Sequence, residues 1–285
     1  MKQTILFTIS FLLTGFAVFS QDENKSNIQT YTPSKLLNKG QWDIKWFNNL
    51  YTETKFADSN GDSQSKAREN YFTSTIEAFT GISDNNSINV GAIIEFRSNT
   101  IAGREAFSVF SLDDTATDRK GITSIAPAIK WQPIKDVGNF SIQSAFHIPL
   151  VENETENGVF LDQSSWILQN RLFYDYTFDS GKWQLFTELN TEYSFGEETS
   201  FANNTFLLAP GLFMSYFPSD KSTLLGFVQH SQRFGDFSQD YTALGLGGKY
   251  QLSNTLNIEA LYSKFVRGTD NGLGQSFNIG LRALF

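Results

Sequence analysis

The chain has 285 residues, with 28 Phe, 10 Tyr and 5 Trp, 18% charged residues and a net charge of -8. That acidic balance excludes nucleic acid as a partner, and it excludes a polybasic membrane-surface binder. With no cysteine in the sequence, disulfides, thiolate metal sites and a lipid anchor on a processed cysteine are excluded as well.

In chain order, residues 1–20 come first: Lys2, an apolar run over 5–19, and small residues near Val18 and Ser20 ahead of Gln21. A charged start, a short apolar core and a small-residue exit predict a cleaved signal peptide. The run falls short of the ~20 residues that a spanning helix needs. Residues 21–40 are polar, contain Pro33 and do not alternate. They are expected to form a flexible periplasmic leader, with a short helix around 34–38.

From Gln41 to Phe285 the pattern changes and stays changed. Trp183, Leu185, Thr187, Leu189, Thr191, Tyr193 and Phe195 share one parity against Gln184, Phe186, Glu188, Asn190, Glu192 and Ser194. Residues 88–97 place Ile88, Val90, Ala92, Ile94 and Phe96 against Asn89, Gly91, Ile93, Glu95 and Arg97. The end places Phe277, Ile279, Leu281, Ala283 and Phe285 against Ser276, Asn278, Gly280, Arg282 and Leu284. Period two marks a strand with two different faces. Further segments of this kind start near Trp42, Tyr71, Ile122, Phe140, Trp166, Thr205, Thr223, Tyr241 and Thr255. The total is about twelve strands, an even number as bacterial single-chain barrels require. The run from Thr223 is the least regular. Pro127 and Pro210 fall inside strands, and each should mark a bulge or a missing ladder bond.

Connections are expected to alternate long and short. The long ones are 55–70, 99–120, 151–164, 196–204, 235–240 and 267–274; the tight ones are 83–87, 135–139, 179–182, 218–221 and 253–254. Outer-membrane barrels have short periplasmic turns and longer external loops. The reading is therefore an all-β, transmembrane, antiparallel up-and-down barrel over 41–285. It would lie in the outer membrane of a Gram-negative cell.

A soluble barrel also alternates, but it hides its apolar face. Aromatic placement decides between the two. The apolar parity carries Trp42, Trp131, Phe140, Tyr176, Trp183, Tyr216, Tyr250 and Phe285 at the periplasmic strand ends. It carries Phe96, Phe146, Trp166, Tyr193, Phe206 and Tyr262 at the external ends, with aliphatic residues between. Two aromatic girdles around an aliphatic band fit a bilayer with two interfaces. The polar parity then faces the lumen. It brings in Asp43, Lys45, Glu53, Glu77, Glu95, Arg97, Lys130, Arg171, Asp175, Glu188, Glu192, Lys249, Glu259 and Arg282. Such charges either brace the interior as a network or bias a passing solute. Phe47, Tyr51, Phe79, Phe173 and Phe186 narrow the bore and could form a track for an aromatic solute.

Little else carries chemistry. No phosphate loop, dinucleotide fingerprint or zinc-protease motif is present, and no cofactor is expected. With two histidines, His147 and His230, an imidazole metal site is not expected, and Asp113-Asp114 is a poor calcium candidate. His230 and Ser231 are adjacent on a strand and point to opposite faces, so they cannot form a direct catalytic pair. Gly245, Gly247 and Gly248 lie within a strand, where close packing is the expected reason for them.

The signal end FSQ, the stretch YTPSKLLNKGQWDIKWFNNLYT and the terminal FNIGLRALF resemble outer-membrane proteins of Bacteroidetes. The segments SIAPAIKWQP, SIQSAFHIPL and WILQNRLFYDYTF are similar to the outer-membrane family associated with meta-pathway phenol degradation. That resemblance implies an outer-membrane barrel concerned with passage of aromatic or hydrophobic compounds. It also implies a terminal Phe285 read by the barrel-assembly machinery, and it carries over no functional residue. The expected partners are outer-membrane lipid, that machinery and a small solute. Two alternatives stay open: a non-conducting barrel whose external loops bind a partner, and an outer-membrane phospholipase.

Overall fold

The computed structural model describes residues 32–111, 115–135 and 137–285. The expected signal peptide, most of the leader and the Asp113-Asp114 pair lie outside the described residues. Twelve long strands follow in order. They are β1 (Trp42–Ala57), β2 (Ser63–Gly81), β3 (Ile88–Thr100), β4 (Asp118–Trp131), β5 (Phe140–Pro149) and β6 (Trp166–Thr177). The remainder are β7 (Trp183–Phe195), β8 (Thr205–Ser219), β9 (Ser222–Gly235), β10 (Gln239–Gln251), β11 (Leu256–Thr269) and β12 (Gln275–Leu284). Each pairs antiparallel with its sequence neighbour, and β1 pairs with both β2 and β12, which closes the sheet. Trp42 and Phe285 exchange both backbone hydrogen bonds at the seam. Closure matters in lipid, where each unsatisfied backbone group costs several kcal/mol.

The alternation becomes an inside-out distribution of polarity. Leu246 is 63% exposed and Ile279 57%, whereas Asn89 is 1% exposed and Asn278 8%. The girdle residues Trp42, Trp131, Trp166, Tyr176, Trp183 and Tyr250 are all outward and exposed. Trp46 is outward too, a position that the girdle pattern did not single out, with its indole N–H donating to Ser74 Oγ at 2.9 Å.

Three connections differ from expectation. The segments expected as loops at 55–70, 235–240 and 267–274 are half or more strand, leaving 58–62, 236–238, 270 and 273–274 outside strands; Asn271–Gly272 pairs with the end of β1. The run SQSKAREN at 63–70 has no apolar alternation, yet it extends β2 because a ladder needs only backbone groups. External and periplasmic connections therefore do not alternate strictly in length. The external ones at 101–117, 150–165 and 196–204 are long; the first contains a 3-10 turn at Ala106–Phe110 and the second a small hairpin at Thr155–Glu156 and Val159–Phe160.

The prolines do mark gaps. Pro127 pairs with Ala92 of β3 but has no partner on β5, where the ladder jumps from Ile125↔Ile148 to Ala128↔Ala145. Pro210 pairs with Leu189 of β7, while on its β9 side the ladder jumps from Leu208↔Gln232 to Gly211↔Gln229. A residue without an N–H is tolerated where one neighbour asks for no bond.

Candidate functional site

The lumen encloses a cavity of about 970 Å³. Its contents follow from strand pairing, since one parity of all twelve strands converges there. Lys249 and Glu259 are direct cross-strand partners, and their charged atoms meet at 2.7 Å. Lys45 sits opposite Glu77 and reaches it at 3.2 Å. Arg282 forks onto both oxygens of Asp43 at 2.8 and 2.9 Å, the planar bidentate geometry that a guanidinium favours. Arg171 of β6 does something that pairing cannot do. It bonds Glu188 at 2.8 Å and Glu77 of β2 at 3.1 Å, so one guanidinium ties together strands that are not neighbours.

Higher in the barrel, Arg97 bonds Glu95 at 2.6 Å and Asp162 of the 150–165 loop at 3.0 Å. Burial and the Glu95 charge push the Asp162 carboxyl above the usual range, against the pull of Arg97. Lys66 bridges Glu53 and Glu69 at 2.8 and 2.7 Å.

Rings fill the remaining wall in two rows. Phe173, Phe186, Phe213 and Phe227 run across β6 to β9 with centroids 6.0, 5.4 and 5.2 Å apart. Tyr71, Tyr51, Phe265 and Tyr241 form the second row, with centroids 6.1, 4.8 and 4.3 Å apart. The Arg171 guanidinium lies 5.1 Å from the Phe173 centroid, which joins the charged belt to the first row. Gly245 ends that row: a Cβ there would collide with the Phe227 ring, so the glycine gives the ring its place.

The end of the leader is neither helical nor free. Residues 35–38 carry no regular secondary structure after a turn at Pro33-Ser34, and Leu37 is fully buried in a cluster with Phe79, Ile93, Ala126, Ala128, Ala145 and Leu284. Lys130 explains the missing helix, because its ammonium donates to the carbonyls of Pro33 and of Lys35, the latter at 3.0 Å. Thr32 donates to Asp175 at 2.7 Å, and the Leu37 N–H donates to Asn89 at 3.1 Å. Gly81 permits the approach, since a Cβ would strike the backbone of Leu37 and Asn38. Residues 32–41 thus cover the periplasmic mouth from within.

Of the charged residues expected at the lumen, Lys45, Glu95, Arg97, Lys130, Arg171, Glu188, Lys249, Glu259 and Arg282 border the cavity. Asp175 is buried beside the leader, and Glu192 accepts from Gln169 and Asn190, both at 2.9 Å. Phe47, Tyr51, Phe173 and Phe186 border the cavity, while Phe79 belongs to the apolar cluster under Leu37. Sequence reasoning missed Asp162, which comes from a loop, and the rings of Tyr71, Phe213, Phe227, Tyr241 and Phe265. The last five share the inward parity of their strands, so the alternation itself could have found them.

Both histidines meet hydroxyls from a neighbouring strand. His147 Nδ1 is 3.4 Å from Ser124 Oγ in the lumen, and His230 Nδ1 is 3.0 Å from Thr242 Oγ1.

No family model matches the sequence, and no curated protein matches it. Among solved structures, the chain is similar to an outer membrane channel from Pseudomonas putida F1, at 9% identity and a TM-score of 0.69, covering 90% of this chain and 99% of that one. It is also similar to the beta domain of the Bordetella autotransporter Brka, at 12% identity and a TM-score of 0.58, covering 85% and 99%. At these identities the likeness is one of fold: a closed antiparallel barrel of twelve strands.

Proposed function

We propose that the protein is a passive outer-membrane channel for small molecules that carry an apolar or aromatic part. The observation that carries this reading is the lumen. Its cavity of about 970 Å³ is bordered by charges already paired with one another and by two rows of rings. Pockets for small molecules run from ~300 to ~1,000 Å³, so the space suits a single compact solute and not a polymer. Paired charges hold a passing ion weakly, and stacked rings offer a face on which an aromatic body can slide. The resemblance to the phenol degradation-associated family and the fold of the Pseudomonas channel support the same reading.

Residues 32–41 stand in the path at the periplasmic end, held by Lys130. A hydrogen bond contributes about 0.5–1.5 kcal/mol, so losing both by Lys130→Met should raise the undocked fraction by about fivefold or more. The test is planar-bilayer conductance and solute uptake into liposomes by the refolded protein. Small conductance in the wild type and a larger one in Lys130→Met are expected. Silence in both, with no uptake of a phenolic or a saccharide probe, would remove the channel reading.

The two histidines and their hydroxyl neighbours carry no part of this proposal. A hydroxyl nucleophile activated by imidazole needs a third group to orient the ring. His147 Nε2 is buried without a hydrogen-bond partner. Among the described residues, no carboxylate is bonded to His230.

A further inference from the structure

The described run 101–111 of the long loop does not stand up from the barrel mouth. It folds down over the outside wall of β1 to β3. The residues that hold it belong to the outward parity of those strands: Thr52, Asn70, Ser98 and Thr100 are all buried, although the face they occupy is the lipid face elsewhere. Asn70 Nδ2 donates to the carbonyls of Arg104 and Glu105 at 3.1 and 3.2 Å, and its Oδ1 accepts from Thr52 at 2.7 Å. Ser98 Oγ donates to the Val109 carbonyl at 2.7 Å, and the Thr100 and Ser108 hydroxyls meet at 2.8 Å. Ser98 and Thr100 are thus satisfied by the short helical turn and Asn70 by the two carbonyls just before it, with Thr52 held in turn by Asn70.

That turn turns its own apolar side outward. Phe107 is 74% exposed and Phe110 54%, and their rings stack at 6.2 Å. Phe110 also packs edge-on against the outward ring of Phe72 at 4.9 Å, so the pair continues the lipid-facing surface. Around the rest of the rim, Phe146, Trp166, Tyr193 and Phe206 supply the external girdle from the strands themselves. On β1 to β3 the outward positions beyond Phe72 and Phe96 are polar, namely Thr52, Asn70, Ser98 and Thr100, so above those two rings the strands supply no further aromatic side chain.

We propose that residues 101–111 form a membrane anchor, in which Phe107 and Phe110 enter the outer leaflet and extend the external girdle above Phe72. The partner is the acyl chain region just below the headgroups. Continuity with Phe72 argues for it, as does the stacking of two large rings in the open, since interfacial helical segments bury such rings ~5–10 Å into the boundary. The inference is independent of whether the barrel conducts.

The chain contains no cysteine, so single introduced thiols can be spin-labelled without background. Phe107→Cys and Phe110→Cys are labelled in the full protein reconstituted into liposomes, with Leu246→Cys as the lipid-facing reference and Asn60→Cys as the aqueous one. Collision with oxygen and with a water-soluble nickel chelate is then measured. The loop labels should show the oxygen-rich, nickel-poor pattern of Leu246→Cys, and Asn70→Ala should shift them toward the pattern of Asn60→Cys. An aqueous pattern at both loop positions overturns the proposal. So does dipolar broadening between labels, which would place a second copy on the patch, and so does a lipid pattern indifferent to Asn70→Ala.

Discussion

Two external loops of similar length, 101–117 and 150–165, leave the same side of the barrel and go opposite ways. The first lies on the outer wall; the second turns into the mouth. One stretch of β3 directs both. Ser98 and Thr100 point outward and hold the first loop through Val109 and Ser108. Arg97 and Asn99 point inward and hold the second, Arg97 through Asp162 at 3.0 Å and Asn99 through the carbonyls of Phe160 and Leu161 at 2.8 and 3.0 Å. Successive side chains on a strand leave on opposite faces, so four consecutive residues can sort two loops. A strand end at the barrel rim is thus a branching device as well as a wall.

The largest expected effect comes from cutting the inward branch. Arg97→Ala leaves the Asp162 carboxyl buried without its cation, and removing one partner of a buried pair costs about 3 kcal/mol. Urea unfolding of the refolded barrel should show most of that loss. Conductance should rise as the 150–165 loop leaves the mouth. Unchanged conductance with lost stability would mean that this loop does not obstruct the lumen.

Cutting the outward branch should have a smaller and different effect. Asn70→Ala removes hydrogen bonds to the carbonyls of Arg104 and Glu105, at about 0.5–1.5 kcal/mol each. Amide exchange within 101–111 should speed up, while conductance stays at the wild-type value. A conductance change here would break the distinction between the two loops.

How much of this was legible in the sequence divides along the same line. Alternation gave the strand count and the two faces, and it put Trp42, Trp131, Trp166 and Trp183 on the outward one. It also placed Lys45 and Arg282 on the lumen face, since both keep the parity of their strands. It did not give the salt bridge from Arg171 to Glu77, whose strands are not neighbours, nor the role of Asp162, which lies in a loop with no period. The polar extension at 63–70 was read as loop because strand periodicity weakens where neither face meets hydrocarbon. For the same reason Asn70, Ser98 and Thr100 look like exposed polar residues. Their burial depends on a loop whose path no local pattern sets. Residues 34–38 misled in another way: helix propensity is a weak prior, and the Lys130 ammonium claiming two backbone carbonyls overrides it.

The smallest expected effect is a pH response of the inward loop, and its sign separates two forces on Asp162. Burial and the charge of Glu95 raise its proton affinity in the docked loop, while Arg97 lowers it; burial and Glu95 prevail. A carboxyl with a higher proton affinity docked than free favours the docked state when protonated. Docking should therefore tighten as pH falls through the docked value toward the ordinary carboxylate range, and it should loosen as pH rises through that window. The gain stays modest because protonation also gives up the attraction of Arg97. A spin label on Glu152→Cys should lose mobility on acidification. In the Asp162→Asn background the response should flatten, with the label held near its low-pH mobility. Mobility that increases on acidification would show instead that the Arg97 contact governs the site, and that the carboxylate form is the one the inward branch is built to hold.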